Sequence, residues 1–167
     1  GGTAFSSLNY MTLPRGTTTQ SNRGRGLIMG GFYPEILTME HVSLISSANS
    51  IKFGDLGSSS IAWGGAGASS TRAVIGGGAI PAVIKNIEYV TIATLGDAIT
   101  FGDLDIAKRH SPAVSNETIA LWGGGETASG NTMTAQVDSV TIATTGDAAD
   151  FGDLTVARRG AAPASSA

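Results

Sequence analysis

Apolar and polar positions alternate strictly in three places along the chain. Val90-Thr91-Ile92-Ala93-Thr94 puts Val90 and Ile92 on one face and Thr91 and Ala93 on the other, the period of two expected of a half-buried strand. Val140 and Ile142 repeat the pattern, as do Val42 and Leu44. A short turn follows each time, Gly96-Asp97, Gly146-Asp147 or Ala48-Asn49, and then the tetrapeptide Phe-Gly-Asp-Leu at 53–56, 101–104 and 151–154. Glycine and asparagine accept left-handed backbone geometry cheaply. Each stretch therefore reads as a β-hairpin, its second strand ending near Ala107-Lys108-Arg109 or Ala157-Arg158-Arg159. No window sustains a 3.6-residue apolar period, so the pattern predicts an all-β chain.

A second marker sits between the hairpins. Apolar runs at 26–31, 72–78 and 119–125 each end in two or three glycines. Such glycines let strands of neighbouring units converge where a side chain would clash. Aligned on these runs, Trp122 takes the place of Ile75 and Met29 and is expected to be buried. Variable segments, FYPEILTM, AIPAVIKN and ETASGNTMTAQ, then lead back to the alternating strand. The tetrapeptides repeat at intervals of 48 and 50 residues, and 87–104 matches 137–154 at twelve of eighteen positions. A period near 40–50 residues is what propeller blades show.

Composition narrows the function classes. The 167 residues carry 24 glycines, no cysteine, 14% charged residues and a net charge of −3. One compact core is the expectation at this length. Thiolate metal sites, disulfides and cysteine nucleophiles are excluded. The acidic balance gives no reason to expect nucleic-acid binding, and Arg15, Arg23 and Arg25 read as solvated loop residues. No apolar run approaches membrane-spanning length and no signal-peptide pattern opens the chain. The chain opens on GGTAF without methionine, which reads as processing or as residues preceding Gly1.

An apolar strand ending in Gly-Gly, a loop, a strand opening on an acid (Glu40, Glu88, Asp138), a hairpin, and an aromatic followed by a basic end together resemble the kelch repeat. Phe53, Phe101 and Phe151 stand where kelch repeats usually carry tryptophan. The wording TIATTGDAADFGDLTVARR looks like the kelch-like repeats of virion structural and tail-fibre proteins of tailed phages, especially those of marine cyanobacteria. The resemblance covers roughly residues 9–159. It implies β-propeller blades and a place on a virion.

The predicted organisation is an N-terminal segment over 1–24 with a partial repeat placing Tyr10 at the Phe position, a kelch-like domain over 25–159, and a small-residue strand or tail over 160–167. That makes about three and a half units, fewer than a ring of four to eight blades usually needs. Pairing of copies, a tight four-bladed ring, or other proteins over the open edges would each complete it. Assembly is favoured, because exposed edges recruit strands.

Candidate chemistry is sparse. Asp55, Asp103, Asp153, Asp97 and Asp147 recur at equivalent places. Aspartate beside glycine in a turn accepts backbone N–H bonds without a metal, whereas calcium needs several convergent oxygens. His41 and His110 lie in different units without ligand spacing. No GxSxG elbow surrounds a serine, and WGGAGASSTR lacks the ending of a phosphate loop. No catalytic residue, metal ligand or cofactor site is assigned. Trp63, Arg25 and Glu126 are candidate surface or glycan contacts, since an exposed tryptophan stacks on sugar faces.

The sequence thus points to a non-enzymatic virion protein of tail, fibre or capsid surface, serving particle assembly or host attachment through variable loops. Its partners would be further copies, other virion proteins and a host-surface glycan, with neither nucleic acid nor membrane insertion. A glycan-cleaving tailspike and a cellular kelch-type interaction module are the alternatives. The first would need two facing carboxylates, with Glu35, Glu117 and Glu126 as the non-repeated acids.

Overall fold

The computed structural model describes residues 24–31, 36–57, 61–79, 81–128 and 132–165. Those residues form thirteen strands in four antiparallel sheets and no helix, so the all-β expectation holds. The expected partial repeat around Tyr10, and Phe32 to Glu35 of the first variable segment, lie outside the described residues.

Three of the sheets are successive copies of one unit. The first contains β1 (Arg25–Gly31), β2 (Ile36–Ser43) and β3 (Ile51–Asp55). In the second, β4 (Gly65–Ala68), β5 (Arg72–Gly76), β6 (Asn86–Thr91) and β7 (Ile99–Asp103) pair in chain order. A short strand, β8 (Lys108–Arg109), comes next in the chain. The third unit pairs β9 (Ala113–Ser115), β10 (Ile119–Gly123), β12 (Gln136–Thr141) and β13 (Ala149–Asp153) in that order, and β11 (Glu126–Thr127) pairs with β8. Among the described residues these orders are linear and close neither a barrel nor a ring.

Register proves the repetition. Arg25, Arg72 and Ile119 face Ser43, Thr91 and Thr141. The same bulge falls between Met39 and Glu40, Ile87 and Glu88, and Val137 and Asp138. This register corrects the sequence alignment at one point: Trp122 faces Asp138 as Ile75 faces Glu88 and Ile28 faces Glu40. Trp122 is therefore the counterpart of Ile28, not of Met29. Met29 stands where units two and three carry their first glycine, Gly76 and Gly123, so counting back from the glycines shifted the alignment by one. The expected burial of Trp122 is found.

The apolar side chains pack between units rather than inside them, because each sheet is one layer thick and must cover its face with another. One cluster joins Met39, Phe53, Leu56 and Ile61 of the first unit to Ala73, Ile75, Val90 and Ile92 of the second. Its counterpart joins Val74, Ile87, Phe101 and Leu104 of the second unit to Ala120, Trp122, Val140 and Ile142 of the third. The alternation explains the pairing: Val90 and Ile92 are buried while Thr91 and Ala93 are exposed.

The second strand of each hairpin stops at the aspartate of the tetrapeptide, earlier than expected; Lys108-Arg109 form the separate strand β8, whereas 157–159 are not strand. Half of FYPEILTM is strand rather than loop, since β2 begins at Ile36. Of the small-residue tail, 160–165 are described without strand structure, and 166–167 lie outside the described residues.

Candidate functional site

The repeated polar residues converge at the junctions between units. The Gly96 N–H donates to the Phe53 carbonyl at 3.0 Å and the Ala98 N–H to the Asp55 carbonyl at 2.9 Å. Gly146 and Ala148 repeat this on Phe101 and Asp103 at 2.8 Å each. The turn of each unit thus lies along the outer edge strand of the unit before it, covering backbone groups that would otherwise invite pairing. Asp97 Oδ1 accepts the Asp55 N–H at 2.9 Å, and Asp147 Oδ1 accepts the Asp103 N–H at 3.0 Å. The aspartates accept backbone N–H bonds as expected, yet they latch adjacent units rather than shape their own hairpins.

Close approach explains the glycine of the tetrapeptide. A Cβ on Gly54 would stand 2.0 Å from the Gly96 carbonyl oxygen, and one on Gly102 would stand 2.3 Å from that of Gly146. Arginines add a second tie. Arg25 donates to the Ile92 carbonyl at 2.5 Å, and Arg72 to the Ile142 and Ala143 carbonyls at 3.2 and 2.8 Å. Arg25 is accordingly half-buried in a junction.

The acids that open the alternating strands of the second and third units also serve junctions. Glu88 is buried and accepts the Gly57 N–H of the first unit at 2.8 Å. Asp138 is buried opposite Lys108, which arrives from the second unit with its ammonium 3.3 Å from Asp138 Oδ2. Lys108 Nζ also donates to the Trp122 and Gln136 carbonyls at 3.0 and 3.2 Å. Burial lowers the Lys108 pKa from its ordinary value, with Asp138 opposing the shift. Burial likewise raises that of Asp138, opposed by Lys108. Nothing in the sequence set Lys108 apart from an ordinary basic strand end.

Trp63 and Glu126 are brought near one another, with opposite exposure. Trp63 is 39% exposed and lines a groove of about 290 Å³ with His110, Pro112 and Ala161. Its ring lies 5.1 Å from that of His110, and the Arg109 guanidinium is 5.7 Å from its centre. Trp63 and His110 both adopt left-handed backbone, at φ 62° and 53°, and Gly160 does so at 62°. The His110 N–H donates to the Trp63 carbonyl and the Gly160 N–H to the His110 carbonyl, each at 2.8 Å. These three residues are therefore one repeated corner.

Glu126 is fully buried, which corrects its assignment as a surface contact. Two arginines draw it inward: Arg109 donates from Nε at 3.1 Å and from its terminal nitrogen at 2.5 Å, and Arg159 pairs with the other carboxylate oxygen. In the preceding junction the same bridge joins Ala62 to Ala79, so the ion pair is this junction's substitute for two small residues. His110 Nδ1 lies 3.9 Å from Glu126. Desolvation, then Arg109 and Arg159, hold its imidazole below the usual histidine value. Among the described residues no group of three or more histidines and acids is placed to hold a metal.

No protein-family model matches the chain, and no curated protein matches it.

Proposed function

We propose that the chain is a non-enzymatic structural protein of a tailed-phage virion, built from kelch-like blades and working by assembly, with host attachment as its exposed task. The observation that carries this reading is where the repeated acids go. Asp97, Asp147, Glu88 and Asp138 are all engaged in tying one unit to the next. Antiparallel meanders of four strands suit propeller blades, and the wording of the repeat supports the phage context. Mass spectrometry of purified particles tests the reading. The chain should be recovered with the virion, and its recovery only from uninfected cells would overturn the proposal in favour of a cellular interaction module. Release of oligosaccharides from host polysaccharide by the purified protein would overturn the non-enzymatic part.

Host attachment is assigned to Trp63, the exposed aromatic of the groove beside His110. An aromatic face presented next to polar groups suits the apolar face of a sugar ring. W63A should lose binding to host cells while keeping its β-type circular dichroism spectrum. Unchanged cell binding would remove Trp63 from the proposal.

A further inference from the structure

Each junction is made of two half-cores, and the described residues carry one spare half-core of each kind. The trailing half of a unit consists of the positions held by Met39, Phe53 and Leu56, or by Ile87, Phe101 and Leu104. In the third unit these are Val137, Phe151 and Leu154, which line an open apolar groove of about 630 Å³. Phe53 and Phe101 are each 3% exposed, whereas Phe151 is 59% exposed. A Cβ on Gly152 would meet nothing within 4 Å, in contrast to its counterparts Gly54 and Gly102.

The leading half is uncovered at the other end. Ile92 and Ile142 are 6% and 1% exposed, but their counterpart Leu44 is 63% exposed. Ile28, the counterpart of Ile75 and Trp122, is likewise exposed. Ala48-Asn49, which correspond to the latching Gly96-Asp97, stand in solvent. The charges match as well. Arg158 occupies the place of Lys108, since Gly124 meets the Arg158 carbonyl as Gly77 meets that of Lys108. Glu40 occupies the place of Asp138 and, unlike it, is exposed.

We infer that the Phe151 groove of one copy receives the Leu44 face of a second copy, head to tail, reproducing the internal junction with Arg158 on Glu40 in the role of Lys108 on Asp138. The internal junctions specify this occupant: an apolar strand, a small-residue turn bearing an amide or carboxylate oxygen, and an acid. A heterologous contact of this kind closes into a ring where its rotation permits and otherwise propagates as a filament. The inference rests on the contacts within the chain and not on the virion reading, so each can fail without the other.

The test is solution mass by light scattering and sedimentation over a roughly hundredfold dilution series. The wild-type chain should exceed its single-chain mass of 16.8 kDa. F151E and L44E, both at exposed positions, should each fall to one chain with the β-type spectrum retained. Mixed together they should form a capped pair, because each keeps one intact face. R158E and E40R should each weaken association about tenfold or more, and E40R/R158E should restore it. A wild-type chain that stays single throughout the series, as it would if its own residues covered the Phe151 groove, overturns the inference. So does a failure of the two variants to pair, or an F151E chain that assembles as wild type.

Discussion

Replacing Lys108 with methionine asks how the second and third units are held. The ammonium lies 3.3 Å from Asp138 Oδ2 and donates to two carbonyls at 3.0 and 3.2 Å. At an effective dielectric of about 20, charges at that separation attract by about 5 kcal/mol, set against several kcal/mol for dehydrating each ion. The intact pair is therefore nearly balanced, while removal of one partner strands the other. K108M should lose about 3–5 kcal/mol of folding stability, a large share of the roughly 5–15 kcal/mol a domain holds. Urea unfolding followed by the fluorescence of buried Trp122 and by circular dichroism measures this. K108M/D138L should recover most of the loss, because two apolar groups leave no charge behind. A K108M chain within about 1 kcal/mol of wild type, or a double variant no better than the single one, would refute the reasoning.

The same variant makes a signed pH prediction. Burial raises the Asp138 carboxyl, and Lys108 pulls it back down; in K108M only the rise remains. A carboxyl with its folded-state pKa above the unfolded value contributes stability that is fully present below the unfolded pKa and is lost as pH rises through the folded one. The K108M deficit should therefore shrink as pH falls from neutral into the carboxylate range. A deficit constant with pH would mean that lost packing, not stranded charge, is the cause.

Other consequences follow from the junction geometry. G54A should cost at least about 2 kcal/mol in urea unfolding, since its Cβ would stand 2.0 Å from the Gly96 carbonyl oxygen and the turn must lift off. D97A should lose about 1 kcal/mol with the bond to the Asp55 N–H, whereas D97N keeps an acceptor and should match wild type; neither calcium nor a chelator should move the melting temperature. Histidine with a folded-state pKa below its unfolded value contributes stability that is present above the unfolded pKa and lost as pH falls through the folded one. His110 is such a group, so stability should fall below the ordinary histidine range, and H110N, which tolerates φ 53°, should remove that step from a pH series of thermal melts. E126Q should destabilise by about 2 kcal/mol, less than full burial would give because Arg109 and Arg159 reach solvent.

The repeating frame was legible because backbone pairing leaves a period of two. Val90, Ile92, Val140 and Ile142 could be assigned to a buried face from alternation alone, and Trp122 from its place in an apolar run. Alternation carries no information about which neighbour that face meets. The aspartates of the turns therefore read as builders of their own hairpins, whereas they bond the unit before. Lys108 escaped notice because its counterpart Ile61 sits eight residues beyond Phe53 while Lys108 sits seven beyond Phe101. A fixed ruler on phenylalanine thus hides that a buried aliphatic position had become a buried ammonium. Glu126 misled for the opposite reason: as a non-repeated acid in a variable segment it looked solvated. The arginines that bury it come from β8 and from Arg159, contacts no local pattern records.

With its cores between units and not within them, this chain should behave as a one-dimensional array whose stability is a sum of junctions. Two complete junctions form among the described residues, each joining apolar groups from two sheets, and the middle sheet takes part in both. A perturbation in one junction should therefore uncouple the flanking unit before it unfolds the rest. The second unit alone has both its junctions made, so native-state hydrogen exchange should find β5 and β6 the most protected strands, with β1 and β13 opening first. Equal protection across all three units would contradict junction-by-junction stability. Protection of β13 that rises with protein concentration would be the signature of its spare half-core meeting another copy.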